Sequence, residues 1–341
     1  MTHSSDMKLI ITIDTEADNQ WARSEAIELK NIAYIPRFQD LCDTYHFKPT
    51  YLVTYEMATA AECIRTIGGY QQQNKAEIGA HLHPWTTPPL ISLTDNDLQY
   101  HPFPSEYPPA VLTEKLRILT ETIAQNFGQK PVTFRAGRYG INGAVASILA
   151  DLGYIADCSI TPFVSWKHIL GNPHGHGGPD FSHAPFSPYF LDVTDCTKPG
   201  HSGLLEVPAS IFFVKYPVLN KYFHHWKRLF QDPHNLLLRA CFRLGVAPVW
   251  FRPSPQSKFD ELCRVYHVAR YLGLDYLEMI FHSSELMPGG SKNTKDSDAI
   301  ERMYELLNDL FKFLVQQQIE SVTLREYAEH IIATRKDPHV Q

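Results

Sequence analysis

The feature that most constrains the fold is an alternation of short apolar runs, rich in β-branched residues, with longer segments of helical periodicity. In the first half of the chain this alternation predicts strands at residues 9–13, 50–54, 77–81, 132–135 and 154–157. It predicts helices between them at residues 33–45, 57–74, 112–127 and 144–152. Because parallel strands need a crossover connection, usually a helix, the pattern predicts a parallel sheet in an α/β fold.

A stretch at about residues 162–203, rich in Pro, Gly, His and Ser, interrupts the alternation. Neither the strand period nor the helix period survives in it, so we expect a long irregular excursion over one mouth of a βα barrel. Regularity returns with strands at residues 204–208 and 275–282, a helix at 258–272 and two closing helices. No linker divides the chain, and we expect a single domain over residues 1–341 with a polar tail at 1–8.

Composition excludes several classes of partner. The chain has 341 residues, of which 44% are hydrophobic and 20% charged, as in ordinary soluble globular proteins. The formal net charge is -6 and the basic residues are scattered, so no basic stripe is available for nucleic acid. The apolar run at residues 10–13 is far shorter than the roughly 20 residues of a membrane span. We therefore expect neither nucleic-acid binding nor a membrane span.

The amino terminus and the cysteines bear on the compartment. Residues 1–8 are polar and lead directly into a strand, without the features of a secretion signal. The six cysteines form no CxxC pair, which argues against a zinc ribbon or a redox motif. They are Cys42, Cys63, Cys158, Cys196, Cys241 and Cys263. We expect reduced thiols and a cytoplasmic protein.

The first strand ends in TIDTE, which places Asp14 and Glu16 two residues apart. In an extended chain these residues point to the same side, so two carboxylates share one location. A polar cap on the following turn is the alternative interpretation, and the motif alone does not decide between the two.

The third strand reads EIGAHLHPW and repeats this spacing with His81 and His83, before Pro84 ends the ladder. Neutral imidazole is the commonest metal ligand, and two histidines with a nearby carboxylate suit a catalytic zinc that keeps one position open. Two histidines hydrogen-bonded within a core are the alternative.

Two further strand ends carry polar side chains. FRAGRYG brings Arg135, Arg138 and Tyr139, of which Arg135 can hold a carboxylate bidentately, and MIFHSSELMPG places His282 at the end of a late strand. Surface ion pairs and a structural histidine are the alternatives. Because the carboxyl ends of barrel strands form the active-site face, the presence of polar residues at all four strand ends predicts one site.

Two other groups of residues compete with or extend this site. A histidine cluster in the excursion is a rival metal site, although it lacks strand geometry and loop filler is favoured. Three aromatic residues offer surfaces for sugar rings, with core packing as the alternative. The histidines are His174, His176 and His183, and the aromatic residues are Trp85, Tyr139 and Trp166.

Taken together and in this order, TIDTE, EIGAHLHPW, FRAGRYG and MIFHSSELMPG resemble a divergent member of the polysaccharide deacetylase family, carbohydrate esterase family 4, with its NodB homology domain. The resemblance implies a distorted (β/α)7-type barrel. It also implies metal-dependent removal of N- or O-linked acetyl groups from a carbohydrate, in surface polysaccharide metabolism. The implied cofactor is a divalent metal, with zinc preferred, and the implied partner is a carbohydrate substrate.

The resemblance assigns catalytic roles residue by residue. Asp14 matches the general base, Arg135 the arginine that orients it, and His282 the general acid. The acidic metal ligand that usually follows the base is replaced by Thr15, so Glu16 takes its place, a spacing found in some family members.

The remaining assignments depart from the family pattern. His81 matches the first histidine of an HxxxH motif, but Trp85 stands at the second position, so His83 is expected to supply that ligand. Tyr139, with Arg138 beside it in a motif one residue longer than usual, resembles the tyrosine whose backbone N–H helps to hold the oxyanion. Asp157 resembles the acid that interacts with an active-site partner.

Two other functions stay open on the sequence. The altered metal motifs allow a catalytically silent carbohydrate-binding member of the same fold, which metal analysis would distinguish. A glycoside hydrolase would need a second carboxylate opposite Asp14, for which Asp192 or Asp195 is available, but it would leave the three histidines without a role.

Overall fold

The first apolar run forms a strand of the main sheet that has three neighbours, and all but its first residue are buried. The computed structural model describes residues 7–18, 20, 27–169, 177–222 and 246–336. Its strands in chain order are β1 Lys8–Thr15, β2 Pro49–Val53, β3 Glu77–Leu82, β4 Thr133–Ala136, β5 Ala156–Asp157, β6 Tyr189–Phe190, β7 Leu205–Glu206, β8 Ile211–Phe212, β9 Val249–Trp250, β10 Tyr276–His282 and β11 Glu320–Ser321.

The main sheet has the order β10-β1-β2-β3-β4-β5-β7-β6, and β11 pairs with the start of β1. All of these neighbours are parallel except β6 and β7, which are antiparallel. Strands β1, β2, β3 and β10 consist of continuous buried runs, as expected for parallel strands covered on both faces. The predicted parallel α/β sheet is therefore confirmed.

The helices lie between successive strands, and two of them close the chain as expected. They are α1 Ile35–Thr44, α2 Tyr55–Thr59, α3 Ala61–Gln72, α4 Asp97–Tyr100, α5 Pro109–Phe127, α6 Gly143–Asp151, α7 Phe259–Leu272, α8 Ser297–Gln316 and α9 Leu324–Lys336. The single helix expected at residues 57–74 is in fact two helices, because Ala60 adopts an extended conformation with φ -77° and ψ 117°. None of the described helices is long and apolar enough to cross a membrane.

The sheet curls into a half-barrel, and irregular contacts bridge its open side. The short antiparallel pair β8–β9 lies there: Ser210 Oγ accepts a hydrogen bond from the Glu278 N–H at 2.9 Å, and the Ile280 N–H contacts the Phe251 carbonyl at 3.3 Å. The contacts beside β10 are thus single hydrogen bonds, and no regular ladder closes the barrel there. The barrel is distorted because it is not closed by strand pairing on this side.

The excursion is less irregular than the sequence predicts. It contributes β6 to the sheet, and isolated bridges join Ser165 to Asp180 and Leu191 to Pro199. Its residues 170–176 lie outside the described part of the chain. Regular pairing was not visible in the sequence because each segment is only one or two residues long, too short to show a period.

Parallel register brings the strand ends to one level. Asp14 on β1 pairs with His282 on β10, and His81 on β3 pairs with Arg135 on β4. These residues come from distant parts of the chain but lie at the same carboxyl edge of the sheet. The sheet geometry therefore creates a common site for them.

Candidate active site

The carboxyl edge of the sheet opens into a cavity of about 180 Å³. This cavity is lined by residues from all four strand-end motifs that the sequence analysis identified. Residues of the excursion and of β9 line it as well. The lining residues are Asp14, Glu16, Gln20, His81, His83, Trp85, Ala136, Arg138, Tyr139, Trp166, Ile169, Trp250, Arg252 and His282.

Glu16, His81 and His83 form a buried group with the donor set of a metal site. Glu16 Oε2 lies 3.1 Å from His83 Nε2 and 3.6 Å from His81 Nε2, and one ligand atom from each residue lies within 4.8 Å of the others. Burial raises the pKa of Glu16, but His282, His81 and His83 outweigh this effect and hold that pKa well below its usual range. The carboxylate is therefore ionised, as a metal ligand must be.

The orientation of His81 fits metal binding. Its Nδ1 lies 3.0 Å from the backbone carbonyl of Arg135, which can only accept, so this nitrogen carries the proton. Nε2 is then the nitrogen that faces Glu16, at 3.6 Å from Oε2. A backbone carbonyl behind a ligating imidazole is the usual way in which proteins fix the tautomer and the ring orientation.

Trp85 occupies the position that the family pattern gives to the second histidine. Its side chain packs on the imidazole of His83. Its ring stacks on His83 with centroids 4.4 Å apart, and the Arg138 guanidinium lies 5.4 Å from the Trp85 ring centre. The His83 and His81 rings meet edge to face at 4.8 Å. Two imidazole nitrogens and one carboxylate are a donor set that suits a divalent ion, and Trp85 packs directly against one of the two imidazoles.

Asp14 is held by Arg135 beside this group. Arg135 Nη1 donates to Asp14 Oδ1 at 2.6 Å, while Asp14 Oδ2 lies 3.5 Å from His282 Nε2. Burial raises the pKa of Asp14, but the charges of Arg135, His81 and His282 together lower it by more, so the net shift is downward. One oxygen of an ionised carboxylate is therefore fixed, and the other faces a histidine.

Glu278 is a site residue that the sequence analysis missed. It is fully buried, contacts Arg135 Nη2 closely, and accepts a hydrogen bond from Thr12 Oγ1 at 2.7 Å. Burial, despite the opposing charge of Arg135, raises its pKa to about 7. The available signal was a charged residue inside an otherwise apolar strand, on the same face as Ile280 and His282.

His282 is held by two residues that were also missed. Glu285 Oε2 lies 3.2 Å from His282 Nδ1 and accepts the His282 backbone N–H at 3.0 Å, and Arg252 Nη2 donates to the same carboxylate at 2.8 Å. Burial raises the pKa of Glu285, but Arg252 and His282 bring it down to about 2. A Glu three residues after a strand end is a capping pattern and could have pointed to Glu285.

Tyr139 and Arg138 lie where FRAGRYG turns away from the strand. Both adopt left-handed backbone conformations, with φ 61° and 53°, which cost energy for residues other than glycine. At Gly137 an added Cβ would clash with the Leu82 carbonyl, so only glycine fits there. The Tyr139 ring stacks on Trp166 at 5.3 Å and lies 6.1 Å from Trp250. These aromatic side chains form one wall of the cavity.

Asp157 does not line the cavity. Its carboxylate accepts the Ser159 N–H at 3.0 Å and the Ser159 hydroxyl at 2.7 Å, and it interacts with Glu206. Burial raises its pKa in spite of an attractive interaction with Arg135. Asp157 therefore interacts with the site only electrostatically, through Arg135.

The described members of the rival groups do not line the cavity. His174 and His176 lie outside the described residues, and His183 is exposed and does not line the cavity. Asp192 and Asp195 each accept hydrogen bonds within their own turns, from Thr194 and Thr197, and neither lines the cavity. The pairing of either with Asp14 in a glycoside hydrolase therefore gains no support. The five cysteines in the described part of the chain are free and buried.

Comparison with known proteins identifies the fold but no close relative. No family model matches the sequence, and no curated protein matches it. A protein from Mycobacterium smegmatis assigned as a polysaccharide deacetylase is 16% identical over 99% of this chain and 95% of its own length, with a TM-score of 0.54. A protein from Parabacteroides distasonis assigned as a glycoside hydrolase or deacetylase is 11% identical over 98% of this chain and 73% of its own, with a TM-score of 0.64.

The fold is also shared with an enzyme of different specificity. The PuuE allantoinase is 13% identical over 98% of this chain and 93% of its own length, with a TM-score of 0.51. These likenesses extend over nearly the whole chain, whereas the identities are low. The chain therefore has the fold of the polysaccharide deacetylases, the distorted NodB-type α/β barrel, in a divergent form.

Proposed function

We propose that this protein is a metal-dependent hydrolase that removes an N- or O-linked acetyl group from a carbohydrate. The observation that carries the proposal is the buried group Glu16, His81 and His83 beside the Asp14–Arg135 ion pair, at the carboxyl edge of a deacetylase-type barrel. Buried ionisable residues that converge on one cavity are the arrangement expected of a catalytic site.

Glu16, His81 and His83 would hold the ion. Two imidazoles and one carboxylate match the ligand set of a catalytic zinc, which leaves a further position open. When bound, such an ion acts as a Lewis acid that polarises a carbonyl and acidifies water. Zinc is the ion that we propose first, because the set combines nitrogen and oxygen donors.

Asp14 would act as the general base. Arg135 occupies its Oδ1, so Oδ2 is the atom available to accept a proton from the attacking water. The same arginine contacts Glu278, and its full burial prevents water from competing for the pair. A positioned base of this kind contributes about 10²- to 10⁴-fold to the rate.

His282 would act as the general acid. Its Nε2 lies on the cavity side, 3.5 Å from Asp14 Oδ2, and its Nδ1 is held by Glu285. In this arrangement Nε2 is the atom that can deliver a proton to the leaving amine or alkoxide. Glu285 and Arg252 are positioning residues, since they act through the orientation of His282.

Tyr139, Arg138 and Trp85 would contact the substrate. All three line the cavity, and the proposed role of Tyr139 is to hold the developing oxyanion through its backbone N–H. One well-placed donor of this type contributes on the order of 3 kcal/mol. Asp157 would influence the site only through its electrostatic interaction with Arg135.

Elemental analysis of the purified protein, combined with acetate release, tests the proposal. Acetylated nucleotide sugars and acetylated oligosaccharides serve as substrates, and allantoin is added because an allantoinase shares the fold. We expect acetate release that a chelator abolishes and zinc restores. Bound metal without turnover of any substrate would instead favour a silent carbohydrate-binding protein.

A further inference from the structure

Glu56 lies between the two strands that carry the proposed metal ligands. It belongs to α2, which begins directly after β2, and β2 pairs with β1 on one side and β3 on the other. The Thr54 N–H donates to the Thr15 carbonyl at 3.1 Å, so the chain leaves β2 beside the residue that precedes Glu16. The first turn of α2 therefore lies next to the site.

The Glu56 side chain is buried without a partner. It is only 8% exposed, and neither carboxylate oxygen has a hydrogen-bond donor within the described residues. A buried carboxylate without a donor or a positive charge costs several kcal/mol. We therefore expect Glu56 to have a hydrogen-bond donor or a positive charge beside it in the functional protein, and the hydrogen bonds of the described side chains do not include one.

His83 has the complementary deficiency. Its Nε2 is the nitrogen that faces Glu16 Oε2, at 3.1 Å. To bind an ion through Nε2, the imidazole must carry its proton on Nδ1, and that atom is buried with no partner among the described residues. His81 solves the same problem with the Arg135 carbonyl at 3.0 Å, whereas His83 has no such carbonyl within reach in the described part of the chain.

We propose that Glu56 is the outer acceptor of the His83 Nδ1–H, reached through a small side-chain rotation or one water, and is thus a positioning residue of the metal centre. This inference rests on the proposed function, because it requires an ion at Glu16, His81 and His83. With Glu56 included, the two carboxylates balance the charge of a divalent ion.

The place of Glu56 in the fold agrees with this role. It lies in the helix that follows β2, and β2 lies between β1, which leads to Glu16, and β3, which leads to His83. Removal of outer-shell partners of metal-bound histidines typically weakens metal affinity by about 10- to 100-fold.

The test measures zinc affinity by competition with a chromophoric chelator, with Zn²⁺ alone as the ligand. We expect Glu56→Ala to bind zinc about 10- to 100-fold more weakly than the wild type. Glu56→Gln keeps an acceptor oxygen and should lose less. Glu62→Ala, on the next helix with a side chain that is 59% exposed, is the matched control and should bind like the wild type.

Thermal unfolding of the metal-free proteins separates positioning from a structural role. Because neither carboxylate oxygen of Glu56 has a donor among the described residues, metal-free Glu56→Gln should be at least as stable as the wild type, whereas a structural residue would be destabilised on substitution. Wild-type affinity in both Glu56 variants, with zinc binding lost in His83→Ala, would overturn the inference and leave the proposed function intact. Absence of zinc binding in the wild type would overturn both.

Discussion

Two buried acidic pairs of the same sheet have opposite surroundings. Asp14 and Glu278 share the guanidinium of Arg135, and Asp14 faces the cavity. Asp157 and Glu206 have only Ser159 and the Ile160 N–H as donors among the described residues, and neither lines the cavity. The pKa of Asp14 is lowered, whereas burial raises the pKa of Asp157 and raises that of Glu206 well above its usual range.

The difference shows which property of a buried carboxylate indicates chemistry. Burial alone is common to both pairs. A neighbouring cation and an adjacent imidazole lower the pKa of Asp14, which lines the cavity, whereas burial raises the pKa of Asp157 and Glu206, which pair across β5 and β7.

Replacing both His81 and His83 by Ala should have the largest effect. Two of the three proposed ligands disappear, so zinc affinity should fall by more than about 100-fold, beyond the loss expected for any outer-shell residue. Acetate release should be lost with it. Elemental analysis and chelator competition measure the change, and His183→Ala, at an exposed position, is the control. Equal metal content in the double variant would refute the ligand assignment.

Asp14→Asn should retain zinc and lose about 10²- to 10⁴-fold in kcat, because the base is removed while the ligands stay in place. Asp157→Asn is the paired variant and should change kcat much less, since Asp157 does not line the cavity. Metal content and acetate release are measured on both proteins. Similar kcat values for the two variants would break the contrast between the acidic pairs.

Glu285→Gln should destabilise the protein at neutral pH by about 3 kcal/mol. This is the energy that corresponds to the lowering of the Glu285 pKa from 4.5 to about 2. A lowered carboxyl pKa stabilises the fold above the unfolded value, and this contribution is lost as the pH falls from about 4.5 towards 2. Urea unfolding at several pH values measures it. A difference from the wild type that does not shrink at low pH would contradict the assigned role of Arg252 and His282.

Glu206→Gln should change the pH dependence of stability with the opposite sign. A raised carboxyl pKa means that the folded protein binds the proton more tightly, so wild-type stability falls as the pH rises above the unfolded value. Each tenfold difference in proton affinity between the folded and unfolded chains corresponds to about 1.4 kcal/mol, and the substitution should remove this loss of stability. Unfolding free energies at pH 5 and pH 8 provide the measurement. A variant with the same pH slope as the wild type would contradict the assignment of a bound proton to this pair.

The sequence predicted those parts of the site that have a local pattern. Asp14 with Glu16 and His81 with His83 follow the two-residue period of a strand, and parallel pairing then brings their ends together. His282 was predictable for the same reason, as the last residue of a buried strand.

Most of the missed contacts join distant segments of the chain. Arg252 meets His282 and Glu285 only because the chain between β9 and β10 returns to the cavity, and no period marks that return. Glu285 is the exception, since it lies three residues after His282 and only its capping pattern indicates it. Glu56 occupies an ordinary helix position that only its burial distinguishes, and Glu278 is marked in the sequence only as a charged residue within an apolar strand. The strand β6 and the pair β8–β9 are too short to carry a pattern.

The central claim is that Glu16, His81 and His83 bind one divalent ion. Anomalous diffraction from crystals of the protein grown with zinc tests it most directly. We expect a single strong peak within about 2.0 to 2.2 Å of one carboxylate oxygen of Glu16 and one nitrogen from each histidine. A zinc-loaded protein with its peak elsewhere, or with no peak among these three side chains, would contradict it.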